Sequence, residues 1–214
     1  MPERRAALSE SHLHQLHAAR TRLLAPFLRL RGGTHALVLE NAGWRADGDS
    51  LPPPAPGYCI SLALQGEQWQ GGVRAMACEL PFGDESFALL LAADVFEALP
   101  DPGGLAGELA RVSQPGARFL LCGLVHWHPQ SLRLARHARR GDAYYRLRPM
   151  RALTRLLDLY GFERECVQRI GCSYLLVLRK RRASARILYL QRARTVRFSG
   201  RVPVWPGDTR GTRA

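Results

Sequence analysis

The sequence predicts an α/β fold with a mostly parallel sheet, and three consecutive segments carry the prediction. Residues 88–93 form a short apolar run typical of a strand that is buried on both faces. Leu105, Leu109 and Val112 then recur at helical spacing, and residues 118–122 predict the next strand. A strand, a helix and a strand within about 35 residues indicate a right-handed crossover unit.

The ends of that helix carry residues typical of helix boundaries. Asp101 and Pro102 stand where an N-cap and a first-turn residue belong, and Pro115-Gly116 ends the helical pattern. In parallel sheets, ligands bind beyond the carboxyl ends of the strands. Asp94 directly follows the first strand of the unit, so we expect it to face a ligand crevice.

Further elements are predicted on both sides of this unit. An N-terminal helix has Ser9 as its cap and ends near Leu24, because Pro26 cannot continue it. A late helix begins at Pro149 and stops at Gly161. The other predicted strands cover residues 35–40, 58–64, 163–170 and 173–178.

Length and composition are those of a folded protein with one main domain. A chain of 214 residues with 46% hydrophobic content can bury a full core. No apolar run reaches the roughly 20 residues that span a bilayer, and no export signal is visible, so we expect a cytoplasmic location. The five cysteines are odd in number and widely spaced, which favours buried reduced thiols over disulfides or a metal cluster.

Positive charge is concentrated at the end of the chain. Residues 179–214 hold ten arginines and one lysine against a single acid, within a net charge of +13. Because this segment also has prolines, glycines and little apolar periodicity, residues 181–214 are predicted to be a disordered tail. Such a tail is suited to binding nucleic acid or another anionic surface, and a solvated extension is the alternative.

The segment from Leu80 to Phe119 holds the most specific motifs. It begins with Leu80-Pro81-Phe82, continues through Asp94-Val95-Phe96-Glu97 and ends with Arg111-Val112 before the Pro-Gly pair. Here the chain resembles the class I S-adenosylmethionine-dependent methyltransferases, type 11-like group, whose pattern runs L-P-F-x-D-x-S-F-D, L-E-H-L-x-D-P and E-x-x-R-V-L-x-P-G-G. The resemblance implies a Rossmann-like methyltransferase domain over residues 35–180 and S-adenosylmethionine as cofactor.

The cofactor loop after the first strand departs from the family pattern, which is an acid followed by G-x-G-x-G. Glu40, Asn41, Gly43 and Trp44 stand at the corresponding positions, so one glycine remains and Trp44 replaces another. By the resemblance, these four residues line the cofactor. Three consecutive prolines follow within residues 47–57, so the first crossover helix is predicted to be missing or reduced to a loop.

Other cofactor contacts that the resemblance implies are also altered. The second strand ends at Gln65-Gly66 instead of the acid that binds the ribose hydroxyls, and Glu67 is near enough to replace it. Met76 stands where the family often has an adenine-binding Asp, and a thioether is only a weak acceptor. Glu79 is a nearby acid that would compensate. The remaining cofactor-binding candidates are Leu80, Asp94 and Val95.

Two histidines follow the strand over residues 118–122. The segment from His128 to Leu132 looks like a G-F-N-P-x-S-L segment of some divergent family members, with His in place of Asn. His126 and His128 are candidate general bases, and ordinary loop histidines are the alternative. Residues 133–155 hold eight arginines against one acid, which favours an anionic acceptor, although a solvated helix face also explains them.

Two functions of different classes follow from the sequence. The first is methyl transfer to a small, anionic acceptor by a domain with a rearranged cofactor pocket. The second is a catalytically inactive binding or regulatory protein that contacts nucleic acid through its basic tail. The expected organisation is an N-terminal helical extension over residues 1–34, the α/β domain over residues 35–180 and the tail over residues 181–214.

Overall fold

The computed structural model describes residues 3–28, 35–44, 51, 53–54, 57–139 and 144–182, without the side chains of residues 3–13, 44 and 137–139. The described elements belong to a compact unit, Met1–Ala183. The α-helices are α1 (Glu3–Leu24), α2 (Val95–Ala98), α3 (Pro102–Val112), α4 (Pro129–Arg139) and α5 (Met150–Leu159). The strands are β1 (His35–Asn41), β2 (Tyr58–Gln65), β3 (Gln68–Gly71), β4 (Ala75–Met76), β5 (Phe87–Ala93), β6 (Ser113–Leu124), β7 (Phe162–Ile170) and β8 (Ser173–Lys180).

The eight strands form one sheet in the order β4-β3-β2-β1-β5-β6-β8-β7. The central strands β2, β1, β5 and β6 are parallel neighbours. The β3 and β4 strands on one side, and β8 and β7 on the other, pair antiparallel. The α/β class is therefore confirmed, but the sheet is mixed, because an antiparallel pair flanks the parallel centre on each side.

Strand β5 lies at the centre of the sheet and is buried on both faces, as its apolar run predicts. Leu90 and Ala92 belong to a core shared with α3 and α5, whereas Leu89, Leu91 and Ala93 belong to a second core shared with the end of α1. Side chains of successive strand residues point to opposite faces, so an uninterrupted apolar run is what two cores require.

The N-terminal helix ends where the sequence predicts and begins earlier. Helix α1 stops at Leu24 and continues as a short 3-10 turn, Ala25–Phe27, which carries Pro26 near its start. Ser9, the expected cap, lies inside the helix, so that prediction was wrong. The residues before Ser9 are compatible with a helix, so the helix extends back to Glu3, and a possible capping residue alone does not fix its start.

The boundaries of α3 confirm the capping prediction. The Asp101 carboxylate accepts a hydrogen bond from the Gly103 N–H at 2.9 Å, and Pro102 is in the first turn. The helix ends at Val112, and β6 begins at Ser113, five residues before the predicted strand. The late helix likewise begins after Pro149, and Gly161 after it has a left-handed φ of 84°.

The region between β2 and β5 holds a hairpin that the sequence did not predict. Strand β3 pairs antiparallel with β2, and Trp69 of β3 is fully buried. Its indole N–H donates to the Ala77 carbonyl at 3.2 Å, which ties the hairpin to the chain that leads into β5. Between β1 and β2, the described residues form a 3-10 turn, Ala42–Trp44, and no α-helix.

Two further expectations concern the burial of the cysteines and the absence of a membrane-spanning segment. All five cysteines are free, but only Cys122 is buried, whereas Cys59 and Cys78 are exposed. The prediction of buried thiols was therefore wrong for these two, of which Cys59 lies near the start of β2 and Cys78 in the loop after β4. None of the helices within the described residues has the length and apolar character needed to cross a membrane. The predicted tail lies outside the described residues, apart from Arg181 and Arg182.

Candidate active site

The four parallel strands end on the same side of the sheet, which we call the carboxyl edge. Strands β1, β2, β5 and β6 reach it at Asn41, Gln65, Ala93 and Leu124. The register places Glu40 of β1 beside Ala63 of β2 and Ala93 of β5, so the three strands end nearly level. Ligands of such sheets bind at this edge.

Asp94 lies at the carboxyl edge, but its carboxylate is buried instead of open to a crevice. The residue has a left-handed φ of 55°, and its N–H donates to the Cys122 carbonyl at 3.1 Å. Its carboxylate forms an ion pair with Arg20 of α1 and accepts a hydrogen bond from the Tyr145 hydroxyl at 3.3 Å. Burial raises the pKa of Asp94, and the Arg20 guanidinium acts in the opposite direction.

Glu97 of α2 is a second fully buried acid at this edge. Its Oε1 accepts a hydrogen bond from the Tyr174 hydroxyl at 3.2 Å, and its Oε2 has no hydrogen-bond partner among the described residues. Burial, reinforced by the Asp94 charge, raises the pKa of Glu97 to about 8. Glu97 is therefore mostly protonated at neutral pH. We call Arg20, Asp94, Glu97, Tyr145 and Tyr174 the buried polar cluster.

Gly123 of β6 makes room for this cluster. A Cβ atom at that position would lie 2.5 Å from the Tyr174 hydroxyl oxygen and 2.6 Å from Glu97 Oε1. Both distances are shorter than a side chain tolerates, so the glycine allows the Glu97 and Tyr174 pair to pack against β6.

The sequence analysis missed the role of α1 and of Arg20 at this edge. Arg20 is 5% exposed and follows Leu16 by four residues on the face that also holds Leu23 and Leu24. A charged residue within the apolar stripe of a helix was the available signal, because a buried arginine needs a buried acid.

The cofactor-loop candidates are divided between the core and the surface. Glu40 is buried, and its Oε1 accepts a hydrogen bond from the Leu51 N–H at 2.9 Å. This bond ties the connection between β1 and β2 to the end of β1. The Asn41 side chain accepts the Gly43 N–H at 3.0 Å and shapes the short turn after the strand. The side chain of Trp44 lies outside the described residues, so its place relative to a cofactor stays a prediction.

The candidates after β2 are divided between the protein surface and the core. Glu67 is exposed in the turn between β2 and β3, directly beyond the carboxyl edge. Glu79 is also exposed, as is Met76 at 45%. Leu80 and Val95 are buried, and their side chains pack in the hydrophobic core.

The motif residues that carry the family resemblance form a clamp between α3 and the loop before β5. The Leu80 N–H donates to Glu108 Oε2 at 2.8 Å. Arg111 donates to the Leu80 carbonyl at 2.9 Å, to the Phe82 carbonyl at 2.7 Å and to Glu108 Oε1 at 2.9 Å. These motif residues therefore tie the loop before β5 to α3.

The two candidate bases lie in the turn after β6. His126 is half-buried and stacks edge-on against Trp127, with 4.5 Å between ring centroids, and its Nδ1 has no hydrogen-bond partner among the described residues. His128 is also half-buried, and its Nδ1 accepts the Gln130 N–H at 3.3 Å. Both therefore lie at the carboxyl edge, at the entrance to α4, beside the end of the strand that supplies Gly123.

The arginines of residues 133–155 are spread over several surfaces. Arg148 donates to the carbonyls of Phe96, Leu99 and Pro100, so it holds the chain between α2 and α3. Arg133, Arg136, Arg146, Arg151 and Arg155 are exposed. The described members of the group therefore do not converge on one anion site.

Comparison with known proteins agrees with this architecture. Residues 59–121 match a protein-family model described as a methyltransferase domain, whereas no curated protein matches the chain. A provisionally assigned methyltransferase from Bacillus halodurans is 16% identical, with a TM-score of 0.55 over 75% of this chain and 98% of that one. A SAM-dependent methyltransferase from Aquifex aeolicus is 13% identical, with a TM-score of 0.55 over 79% and 97%.

A third similar structure shows that this architecture is not tied to one reaction. The [4+2]-cyclase SpnF is 14% identical, with a TM-score of 0.50 over 76% of this chain and 80% of that one. At such identities the likeness establishes the fold, and the motif-bearing segment adds the match to the family model. The chain therefore has the fold of these methyltransferase structures, and its residues 59–121 match the methyltransferase domain model.

Proposed function

We propose that this chain binds S-adenosylmethionine at the carboxyl edge and transfers its methyl group to a small acceptor. The observation that carries the proposal is the concentration of buried polar groups beyond β5. Arg20, Asp94 and Glu97 are all at most 5% exposed, and buried charged groups are retained where they serve a ligand or a paired structure.

The residues at this edge fit the cofactor. The molecule has ribose hydroxyls, an amino group and a carboxylate. Glu67 offers an exposed carboxylate just beyond β2 for the hydroxyls, and the paired Asp94 and Arg20 lie buried behind the edge, where they position the end of β5. Arg20 Nε and Glu97 Oε2 have no hydrogen-bond partners among the described residues, so the chain's own groups do not fully satisfy the cluster.

The chain's own groups would bind and orient the reactants. When bound, S-adenosylmethionine supplies a methyl group that is already activated by its sulfonium. Alignment then contributes much of the rate, so the fixed positions of β1, β2 and β5 matter more than a strong base. His126 or His128 would take the proton released by a hydroxyl or amine acceptor, because a neutral imidazole nitrogen can act as a general base.

The charge of the acceptor was predicted from the arginines of residues 133–155. Arg148 is engaged with three backbone carbonyls, and the exposed arginines are solvated on α4, α5 and the segment between them. An anionic acceptor stays a prediction from composition, as does a cytoplasmic location. The small size of the acceptor is the part of the prediction that we retain in the proposal.

The proposal is tested by calorimetry with S-adenosylmethionine and S-adenosylhomocysteine. We expect both to bind to the full chain, and we expect Glu67→Gln to weaken binding by about tenfold, because it removes a charge-assisted hydrogen bond. Glu163→Gln is the matched control, on an exposed acid at the start of β7. Absence of heat and of a thermal shift at millimolar ligand would leave only the inactive binding or regulatory function.

The basic end of the chain is proposed to contact nucleic acid or another anionic surface. Strand β8 extends to Lys180, and Arg181 pairs with Asp158 and Glu163, so a truncation that spares the fold has to begin after residue 183. We expect the shortened chain to lose salt-sensitive binding to an RNA or DNA mixture while its unfolding midpoint is unchanged. Equal binding by both chains would exclude this partner.

A further inference from the structure

The turn after β6 and the start of α4 expose two large apolar side chains to solvent. Trp127 is 81% exposed, and Leu132 is 41% exposed. Trp127 lies in the turn that leads into α4, and Leu132 lies in the first turn of that helix. Tryptophan is mostly buried in folded proteins, so an exposed indole close in the chain to a second exposed apolar group indicates an interaction surface.

Helix α4 has one face against the protein and one face in solvent. Ser131 and Ala135 are buried. Leu132, Arg133 and Arg136 are exposed, and positions three and four apart lie on the same side of a helix. The outward face of α4 therefore combines one apolar side chain with two arginines. We call Trp127, Leu132, Arg133 and Arg136 the α4 surface.

Backbone hydrogen bonds join the turn that carries Trp127 to the helix. The His128 N–H donates to the Val125 carbonyl at 3.1 Å, and the Leu132 N–H donates to the His128 carbonyl at 3.2 Å. The His126 ring packs edge-on against the indole, with 4.5 Å between ring centroids. Because the indole is already held in place, burying it against a partner costs little additional ordering.

The charge around the α4 surface is strongly positive. Residues 126–148 contain six arginines and one acid, Asp142. Arginines close to an anionic membrane are attracted to the lipid phosphates. Tryptophan suits the boundary between headgroups and acyl chains, because its ring is apolar while its N–H stays hydrated. The exposed indole, the leucine and the two arginines are therefore complementary to a bilayer with anionic headgroups.

We propose that the α4 surface docks on a membrane of anionic phospholipid. Trp127 and Leu132 insert at the headgroup boundary, and Arg133 and Arg136 contact lipid phosphates. A nucleic acid would use the arginines and would stack a base on the indole, but it would leave Leu132 in water, so the composition of the surface favours lipid. The proposal is independent of the proposed function, because docking needs neither cofactor nor acceptor.

The first test measures binding of the full chain to vesicles by flotation. The vesicles contain phosphatidylcholine alone or equal parts of phosphatidylcholine and phosphatidylglycerol. We expect the anionic vesicles to bind at least about tenfold more tightly, and Arg133→Gln with Arg136→Gln to remove about tenfold of that affinity.

A second pair of exposed arginines supplies the control for charge. Arg151→Gln with Arg155→Gln removes the same charge from α5 and is expected to bind like the parent chain. The basic end of the chain is unchanged in both variants, so a difference between them reports on the α4 surface. Equal loss of affinity in the two variants would mean that binding follows net charge alone, and it would overturn the proposal.

The second test locates the indole with vesicles whose acyl chains are brominated, since bromine quenches the fluorescence of inserted tryptophan. We expect quenching of the parent chain to be much stronger than quenching of Trp127→Phe. Equal quenching of the two chains would place the indole outside the bilayer and overturn the proposal.

The apolar contribution is tested by Trp127→Ser with Leu132→Ser. We expect about tenfold weaker binding to anionic vesicles, because apolar surface is no longer removed from water. Tyr58→Ser with Leu159→Ser is the matched control, because these side chains are also exposed, at 69% and 83%, and lie on other elements. Unfolding midpoints close to that of the parent chain are expected for both. Equal vesicle affinity in both variants would contradict insertion.

Two outcomes would assign the α4 surface to a different partner. The first is weaker binding of single-stranded RNA by Arg133→Gln with Arg136→Gln while vesicle binding is unchanged, which would make the surface a nucleic-acid interface. The second is a concentration-dependent dimer in analytical ultracentrifugation that Trp127→Ser with Leu132→Ser abolishes while vesicle binding is unchanged, which would make the partner a second copy of this chain. Either result overturns the membrane proposal.

Discussion

Glu97 makes the stability of this protein depend on pH in an unusual direction. Burial holds the carboxyl protonated in the folded state up to a pKa of about 8, whereas the same group ionises near 4.5 when the chain is unfolded. The folded state therefore binds more protons between these two values. Linkage then requires the contribution of Glu97 to stability to be complete below pH 4.5 and to be lost as pH rises through 8.

Replacement of Glu97 with glutamine tests this linkage. Glu97→Gln keeps the shape and the acceptor for Tyr174 but cannot ionise, so we expect the variant to be more stable at pH 8 by a few kcal/mol. Thermal or urea unfolding between pH 5 and 9 measures the effect. A parent chain and variant with parallel pH profiles would mean that Glu97 is ionised in the folded protein.

Arg20 and Asp94 form a pair in which neither residue is expendable alone. Arg20→Met leaves the Asp94 carboxylate buried without a countercharge, which is expected to cost about 3–5 kcal/mol in the free energy of unfolding. The double variant Arg20→Met with Asp94→Asn removes both charges, and asparagine tolerates the left-handed backbone at position 94. We expect it to recover most of the loss in urea unfolding, and a double variant no better than the single one would contradict this.

At the scale of elements, the clamp between α3 and the loop before β5 depends on the Glu108 carboxylate. Removing its carboxylate by Glu108→Ala leaves the Leu80 N–H without its acceptor and takes the Glu108 ion pair from Arg111, which keeps the Leu80 and Phe82 carbonyls. We expect a loss of about 1–3 kcal/mol and faster amide hydrogen exchange at Leu80. Asp84→Ala is the control, since this acid contacts the same arginine from a side chain that is 75% exposed.

The elements that the sequence predicted best are those with strong local signals. Strand β5 has an uninterrupted apolar run, and Asp101 with Pro102 marks the start of α3 by capping chemistry that needs no tertiary information. The β3 and β4 hairpin was missed because it is short and mostly polar. Its one anchor is Trp69, whose burial depends on the neighbouring strand β2 and on Ala77, and such contacts are not visible in a local pattern.

The sequence predicted where the candidate site lies but not which residues pair with Asp94. Asp94 follows a central strand, and that position alone put it at the carboxyl edge. Its partner Arg20 lies 74 positions earlier, and Tyr145 lies 51 positions later. Pairing between a buried arginine and a buried acid at such separations is decided by packing, so single-sequence reasoning finds the acid and misses the charge that neutralises it.

At the scale of the whole molecule, β7 protects one edge of the sheet. Six of its nine residues are exposed and four are charged, and Glu163 and Glu165 pair with Arg181 and Arg179. Charged edge strands discourage pairing with other chains. We expect Arg164→Val with Gln168→Val to raise light scattering in a concentration-dependent way, whereas Arg151→Val with Arg155→Val on α5 would not. Equal scattering by both pairs would contradict this role of β7.

The position of β8 in the sheet has a consequence for how the protein is made. Of the strands within the described residues, this one is synthesised last, yet it inserts between β6 and β7 and brings Tyr174 to Glu97. During translation, α1 and Arg20 leave the ribosome long before their site is complete, and closure of these distant contacts is intrinsically slow. A nascent chain stalled before Ser173 would lack both β8 and the Tyr174 hydroxyl that contacts Glu97, so the buried polar cluster is completed only when β8 has been made.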